Sequence, residues 1–381
     1  MDKSIAHRHR KDCCGCNACS EICPKHCIEM QEDRKGFFYP YVNSDSCIEC
    51  GLCVKVCPFI RENNKYSDPI TAYAAWNIER ETYLNSSSGG VAFVFSKLIL
   101  ENNGVIYGCS SNGLDISHIR VDNVNDLYKL QGSKYVQSNV RGIFAQVKQD
   151  IKKAYPVLFI GTPCQVAGLK NYIKKVPENL FLIDIICHGV SSRKMLKEHI
   201  RNVLGKRHIE RISFRNGTDY VLKIYSDEGL SYEAKYWKDL YYKAFIDGIT
   251  YPSNCYHCPF ACEKRISDIT IGDFWGLKNI NELDVNPNEG ISLLLPCTDN
   301  GLKILEMAKN NLFLSERNVS EAVNGNPQLR FPTKNNRSIF FNALYHFLPF
   351  DIAVLFSILD QKAKSFLKII CNKLKNTFVK F

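Results

Sequence analysis

Cys13, Cys16, Cys19 and Cys23 stand in the spacing C-x2-C-x2-C-x3-C, with Pro24 directly behind them. Cys47, Cys50, Cys53 and Cys57 repeat that spacing, and Pro58 follows. The copies align at one constant offset, so they form an internal repeat. Three cysteines two residues apart can wrap one corner of an iron–sulfur cube from a tight loop. The proline stops a helix from continuing and turns the fourth cysteine away. In two-cluster ferredoxins that fourth cysteine ligates the other cluster. The repeat therefore predicts two [4Fe–4S] clusters with crossed ligands. Cys13, Cys16, Cys19 and Cys57 hold one; Cys47, Cys50, Cys53 and Cys23 hold the other. The crossing staples together a module too small for a large core. Structural zinc is the competing reading, but zinc sites take two separated pairs of ligands, which this spacing fits poorly. Cys14 and Cys27 fall outside the pattern and read as packed thiols. Between the copies, Gly36-Phe37-Phe38-Tyr39-Pro40 predicts a β-hairpin edge with aromatic cover over a cluster.

The rest of the composition frames this module. A chain of 381 residues, 45% apolar and 23% charged, has the profile of a soluble protein of two or three domains. Of its eighteen cysteines, ten lie between Cys13 and Cys57. Met1-Asp2-Lys3-Ser4 leads into His and Arg with no apolar leader, so reduced thiols in a cytoplasmic setting are expected. Residues 1–66 form the cluster module, and polar residues Arg61 to Asp68 serve as a linker. Segments 67–150 and 151–330 then carry the larger part of the fold, and 331–381 a helical basic tail.

Ala72 to Trp76 predicts a strand. Ser86-Ser87-Ser88-Gly89-Gly90 precedes an apolar helix from Val91 to Leu100, which suits a cap and a close backbone approach. A helix N-terminus with free N–H groups is also a ready anion site. Gly132 to Ser138 is polar around Tyr135, either a cofactor loop or plain surface. Pro156 to Ile160 and Asn179 to Ile186 are short buried strands. Each leads through an unusual loop into a helix: Gly161-Thr162-Pro163-Cys164-Gln165, and Cys187-His188-Gly189-Val190 before a cap at Ser191 or Ser192. Repeated strand–loop–helix units predict a parallel sheet, whose ligands bind beyond the carboxyl ends of its strands. Cys164 falls in a first helical turn, where a thiolate is favoured. Three antiparallel strands, a helix from Trp237 to Gly248 and the group Cys255, Cys258 and Cys262 follow. That group is one ligand short of a full site, and Cys187 or Cys164 is the candidate fourth; zinc or unligated thiols are the alternatives. The apolar stretch from Ile339 to Leu359 is broken by Asn342, His346, Pro349 and Asp351, which excludes a membrane span. The lysine-rich tail beyond it reads as a packed helix with a solvated basic face. Contact with an anionic membrane is the weaker alternative.

Taken together, SSSGG at 86–90, GSKYVQS at 132–138, GTPCQVAGL at 161–169, CHGV at 187–190, the Cys255/Cys258/Cys262 group and SDITIGDFWG at 267–276 resemble one family. It is the coenzyme F420 hydrogenase/dehydrogenase beta-subunit family, here with a two-cluster ferredoxin domain in front. The resemblance implies an α+β chain whose cluster module precedes an α/β flavin-binding catalytic domain with a mixed sheet. It implies an oxidoreductase that binds FAD and passes electrons between clusters, flavin and a hydride carrier or small molecule. By motif position, Ser87, Ser88, Gly89, Gly90, Lys134, Tyr135, Gln137 and Ser138 line the flavin, with Thr162, Cys164 and Gln165 as further candidates. A third cluster would use Cys255, Cys258, Cys262 and Cys187 or Cys164. Front-fused versions look like those linked to polysaccharide biosynthesis, so the substrate need not be the deazaflavin. His188 is the candidate proton donor, because an imidazole titrates in the useful range.

The formal charge of +10 counts thiols as neutral. Each [4Fe–4S]2+ core with four thiolates carries about −2, and a flavin pyrophosphate would lower the total further. The excess thus partly answers bound cofactors and requires no nucleic acid. What remains suits a ferredoxin-like redox partner, donor or acceptor. The competing function is a non-enzymatic electron-transfer module serving a partner enzyme.

Overall fold

Alternating burial builds the centre of this protein. The computed structural model describes residues 3–280, 283 and 285–359. The cluster module contributes α1 (Ala18–Ile22), β1 (Ile28–Glu32), β2 (Phe38–Val42) and α2 (Leu52–Lys55). Then come β3 (Ala72–Asn77), α3 (Arg80–Leu84), α4 (Val91–Glu101), β4 (Val105–Asn112), β5 (Asp115–Val121) and α5 (Ile143–Lys152). The two strand–loop–helix units are β6 (Val157–Gly161) with α6 (Pro163–Ile173), and β7 (Leu180–Ile185) with α7 (Arg193–Leu204). A meander follows: β8 (Ile209–Asn216), β9 (Asp219–Ser226), β10 (Gly229–Lys235), then α8 (Leu240–Ile246). The chain continues through β11 (Ile269–Asp273), β12 (Ser292–Pro296), α9 (Asp299–Ala308), β13 (Leu312–Arg317), α10 (Val319–Gly325), α11 (Arg337–Leu344) and α12 (Phe350–Ile358).

Among the described residues the main sheet has eight strands in the order β13-β3-β12-β11-β7-β6-β4-β5. Its centre, β11-β7-β6-β4, is parallel, and the strands outside it pair antiparallel. The expected mixed sheet is therefore present, with segments before and after residue 150 interleaved in it. Successive side chains on a strand face opposite ways. Val105, Tyr107, Val157, Phe159, Leu180 and Leu182 accordingly join α5 and α6 in one core. Ile106, Leu158, Phe181 and Ile183 join α4 and α9 in another. Both faces of the parallel strands are thus covered, which is why their sequences are continuously apolar.

The three-stranded meander packs on α7, α8, α11 and α12 in a third core. The hairpin β1–β2 reaches into that core with Phe37, which is 1% exposed. Within the hairpin, Tyr39 borders the cavity of the cluster module, Phe38 packs beside Cys19, Cys23, Cys53 and Cys57, and Phe37 fills a core shared with Met195. The 61–68 linker is anchored, since Ser67 and Arg265 exchange backbone hydrogen bonds of 2.8 Å. Of the two candidate caps, Ser192 serves α7, its Oγ accepting from the Met195 N–H. The helix expected from Trp237 starts at Leu240, where Asp239 accepts from the Tyr242 N–H. Part of the proposed tail, residues 360–381, lies outside the described residues.

Candidate redox site

A cavity of about 250 Å³ in the cluster module is lined by Cys13, Cys16, Cys19 and Cys57 together with Tyr39 and Arg10. These are the four thiols of the first crossed set, drawn from both repeats. Burial raises Cys13 to about 12, with the neighbouring Cys16 and Cys57 adding to it. Burial and Cys16 raise Cys57 to about 11. Such thiols stay protonated alone and ionise when a cationic iron core supplies the compensating charge. The donor set and its enclosure thus fit a cubane. The second set lies further out: Cys50 is exposed, and Cys53 is raised by burial and by Cys47 nearby. Cys27, expected as a packed thiol, stands with its Sγ 3.4 Å from that of Cys23 and also neighbours Cys47.

The larger cavity, about 400 Å³, opens at the carboxyl ends of the parallel strands, bordered by Cys109, Gly161, Ile185 and Asp273. Every expected cofactor residue lines it except Gly89. A Cβ at Gly89 would stand 2.2 Å from the Ala75 carbonyl oxygen, so this glycine lets the loop lie against β3. Gly90, at φ +76°, then caps α4. The Ser88 hydroxyl is buried with no hydrogen-bond partner, as is Oδ1 of Asn254 on the same cavity. An unpartnered hydroxyl beside a free helix N-terminus fits an anionic, hydrogen-bonding cofactor.

A chain of hydrogen bonds runs beneath this cavity, and its directions can be fixed. His118 donates through Nε2 to the Ile160 carbonyl at 3.0 Å, leaving Nδ1 to accept from Ser138 Oγ at 3.0 Å. Ser138 accepts from Gln165 Nε2 at 2.9 Å. Gln165 Oε1 accepts from the Thr162 N–H and hydroxyl, completing a capping box on α6. Thr162 Oγ1 also lies 3.2 Å from Cys164 Sγ. Burial lowers His118 to about 4, so the ring is neutral. The GSKYVQS and GTPCQ loops are thereby locked to each other. Lys134 is lowered to about 8 by burial and donates to the carbonyls of Leu130 and Gln131.

Besides Cys14 and Cys109, four cysteines meet on the cavity from three separate segments: Cys164, Cys187, Cys255 and Cys258. Burial and then the neighbouring Cys187, Cys258 and Cys164 hold Cys255 well above the usual thiol range. Cys187 is raised by burial, Cys164 and Cys258. Both candidates for a fourth ligand therefore come in. Cys262 stays outside the lining, its Sγ directed at the carbonyls of Pro259 and Lys264. Arg265 holds this loop, donating to the carbonyls of Phe260 and Cys262 and to Asp184, each at 3.0 Å.

His188 also lines the cavity. Tyr251 donates its single hydroxyl proton to the Phe245 carbonyl at 2.7 Å, so it accepts from His188 Nδ1–H. Burial lowers the His188 pKa. The imidazole then presents Nε2 as its open lone pair to the cavity.

Four contributors escape the sequence reading. Cys14 touches Cys16 on one side and Cys164 on the other, so it stands between the two cavities. Only its adjacency to Cys13 marks it. Arg215, 8% exposed, comes from the meander and bonds Asp273, Tyr135 Oη and the Ser87 carbonyl. His118 and Arg265 likewise sit in no motif.

Residues 12–60 and 46–94 each match a 4Fe-4S dicluster domain. These matches place the chain in the iron–sulfur electron-transfer class, with two [4Fe–4S] clusters at its N-terminal end. Residues 155–322 match the family described as the C terminus of the coenzyme F420 hydrogenase/dehydrogenase beta subunit. The family resemblance carried by the motifs therefore holds: dicluster ferredoxin sequence precedes the C-terminal region typical of this family. The coenzyme F420-dependent sulfite reductase of Methanocaldococcus jannaschii is 26% identical over 228 residues, 52% of this chain and 33% of that protein. NADH-quinone oxidoreductase subunit I of Pelobacter propionicus is 39% identical over 54 residues, 12% of this chain and 29% of that one. The chain thus spans a third or less of the length of these relatives. A chain of the F420-reducing [NiFe] hydrogenase complex from Methanosarcina barkeri superposes with a TM-score of 0.44 at 15% identity, covering 68% of this chain and 90% of that one.

Proposed function

We propose that the chain is an iron–sulfur flavoprotein oxidoreductase acting on a hydride carrier or small molecule. In this reading a third [4Fe–4S] cluster sits on Cys164, Cys187, Cys255 and Cys258, and FAD occupies the larger cavity. The observation that carries it is the convergence of the serine–glycine loop, the GSKYVQS and GTPCQ loops and four cysteines on one cavity, with Cys14 linking it to the inner cluster. FAD would supply exchange of one electron with a cubane and two with a hydride carrier.

The residues divide the work. Ser87 and Ser88 at the start of α4 offer hydroxyls and free N–H groups to an anionic part of the cofactor. Arg215 positions that loop through the Ser87 carbonyl. His188 Nε2 accepts a proton at the cavity wall. Cys14 and Cys16 bring the inner cluster beside α6, while the outer cluster, with Cys50 exposed, faces a protein redox partner.

Anaerobic purification with iron, sulfide and flavin assays tests this. The expected result is about twelve irons and one FAD per chain. Eight irons without flavin would leave a ferredoxin-like relay serving another enzyme. The names of the matched family and of the sulfite reductase make reduced F420 the first carrier to try. Reduced ferredoxin and NAD(P)H follow, with flavin and cluster bleaching as the signal.

A further inference from the structure

We propose that the face formed by α11 and α12 docks on an anionic lipid surface. Phe347 and Ile339, at 83% and 73%, are the two most exposed large apolar side chains among the described residues. Scattered exposed apolar residues need no explanation, but these two fall in one place. Ile339 and Ala343 share one stripe of α11 at i and i+4, and Phe347 lies in the turn directly after that helix.

The next helix repeats the pattern. α12 keeps its polar residues, Asp351 and Ser357, buried and turns apolar side chains outward. Phe350, Ala353 and Val354 are buried in the core shared with α7 and α8, while Ile352 and Leu355 on the other flank are exposed. An outward apolar flank suits an interior or a lipid surface better than water. This helix lies at the edge of the fold with one flank covered.

Charge selects the occupant. From residue 330 to 381 the sequence has nine Lys or Arg and two Asp, which accounts for +7 of the chain's +10. Of the acids, Asp351 is buried and bonded to His199 and Asn202, so it does not oppose an anionic surface. Arg330, Lys334 and Arg337 are exposed. Directly after α12 the sequence interleaves Lys362, Lys364, Lys368, Lys373, Lys375 and Lys380 with Phe366, Leu367, Ile369, Ile370 and Leu374. Bulky apolar groups flanked by cations suit the boundary between acyl chains and anionic headgroups. A nucleic acid would take the cations and leave Phe347 and Ile339 in water. No helix among the described residues is long and apolar enough to cross a membrane, so the contact is interfacial.

The test uses the cluster-loaded full chain, floated with phosphatidylcholine vesicles that contain or lack phosphatidylglycerol. The chain is expected to float with the anionic vesicles and to be released by high salt. An Ile339→Ser/Phe347→Ser variant should bind roughly tenfold more weakly at unchanged iron content. An Ile352→Ser/Leu355→Ser variant should behave alike. Failure to bind anionic vesicles overturns the proposal, as does full binding by both variants. So does a parent chain that ignores vesicles but is dimeric, with the variants monomeric, because the face would then meet a second copy.

Discussion

At the scale of single residues, the question is which sulfurs a third cluster would use. Cys258 lies among Cys164, Cys187 and Cys255 on the cavity wall, whereas Cys262 turns to the carbonyls of its own loop. Cys258→Ser should therefore remove about four irons per chain, and Cys262→Ser should leave iron content unchanged. Iron analysis beside electron paramagnetic resonance reads both. The crossed ligation of the front module makes a parallel expectation. Cys57→Ser should damage the cluster of Cys13, Cys16 and Cys19, and spare that of Cys47, Cys50 and Cys53. The dicluster character of the N-terminal cysteines was legible because it is written into local spacing, and the cavity lined by Cys13, Cys16, Cys19 and Cys57 draws on both repeats. The proposed third set was legible only in part. Its members come from α6, the loop after β7 and the 255–258 turn, and only the folded sheet brings those together. Local C-x2-C-x3-C spacing pointed to Cys262 by analogy with the front repeats. The sequence carries no mark of the Arg265 contacts that hold that residue's backbone elsewhere.

At the scale of elements, α6 is where cofactor cavities meet. Its first turn presents Cys164 to the larger cavity, and Gly168 one turn later faces Cys16 of the inner cluster. A Cβ at Gly168 would stand 3.0 Å from Cys16 Sγ and 3.3 Å from both Cys16 Cβ and the Phe144 ring. All three neighbours are held by packing, so Gly168→Ala should cost about 1–3 kcal/mol. It should also broaden or shift the resonance of the inner cluster while leaving the outer one as it is. An unchanged inner-cluster spectrum would show that α6 does not press on Cys16. The strand–loop–helix units around α6 were readable because buried parallel strands are short, apolar and end in glycine or cysteine loops. The pairing of the edge strands was not, since β3 joins β12 and β13 across more than two hundred residues.

At the scale of the whole molecule, one buried group ties the third core together. His199 on α7 bonds Asp239 at 2.8 Å, the cap of α8, and Asp351 of α12 at 2.7 Å. Burial opposes its charge, but the two carboxylates outweigh that and raise its pKa to about 9. A raised histidine stabilises fully below its unfolded pKa of about 6.5, and that stabilisation fades as pH rises through the folded value. On the order of 2–3 kcal/mol should be lost between pH 6.5 and 9.5. Denaturation midpoints across that range should fall in the parent chain and stay flatter in His199→Gln. The same core receives the hairpin of the cluster module. At the hairpin's tip, Arg34 bonds His346, Lys35 bonds Asn342, and Lys194 reaches the Arg34 carbonyl. A gene joined front to back in this way is a graft and not a bead on a string. Exchanging the front for another ferredoxin would leave a Phe37-sized hole in the stock, so any donor scion must bring its own aromatic plug.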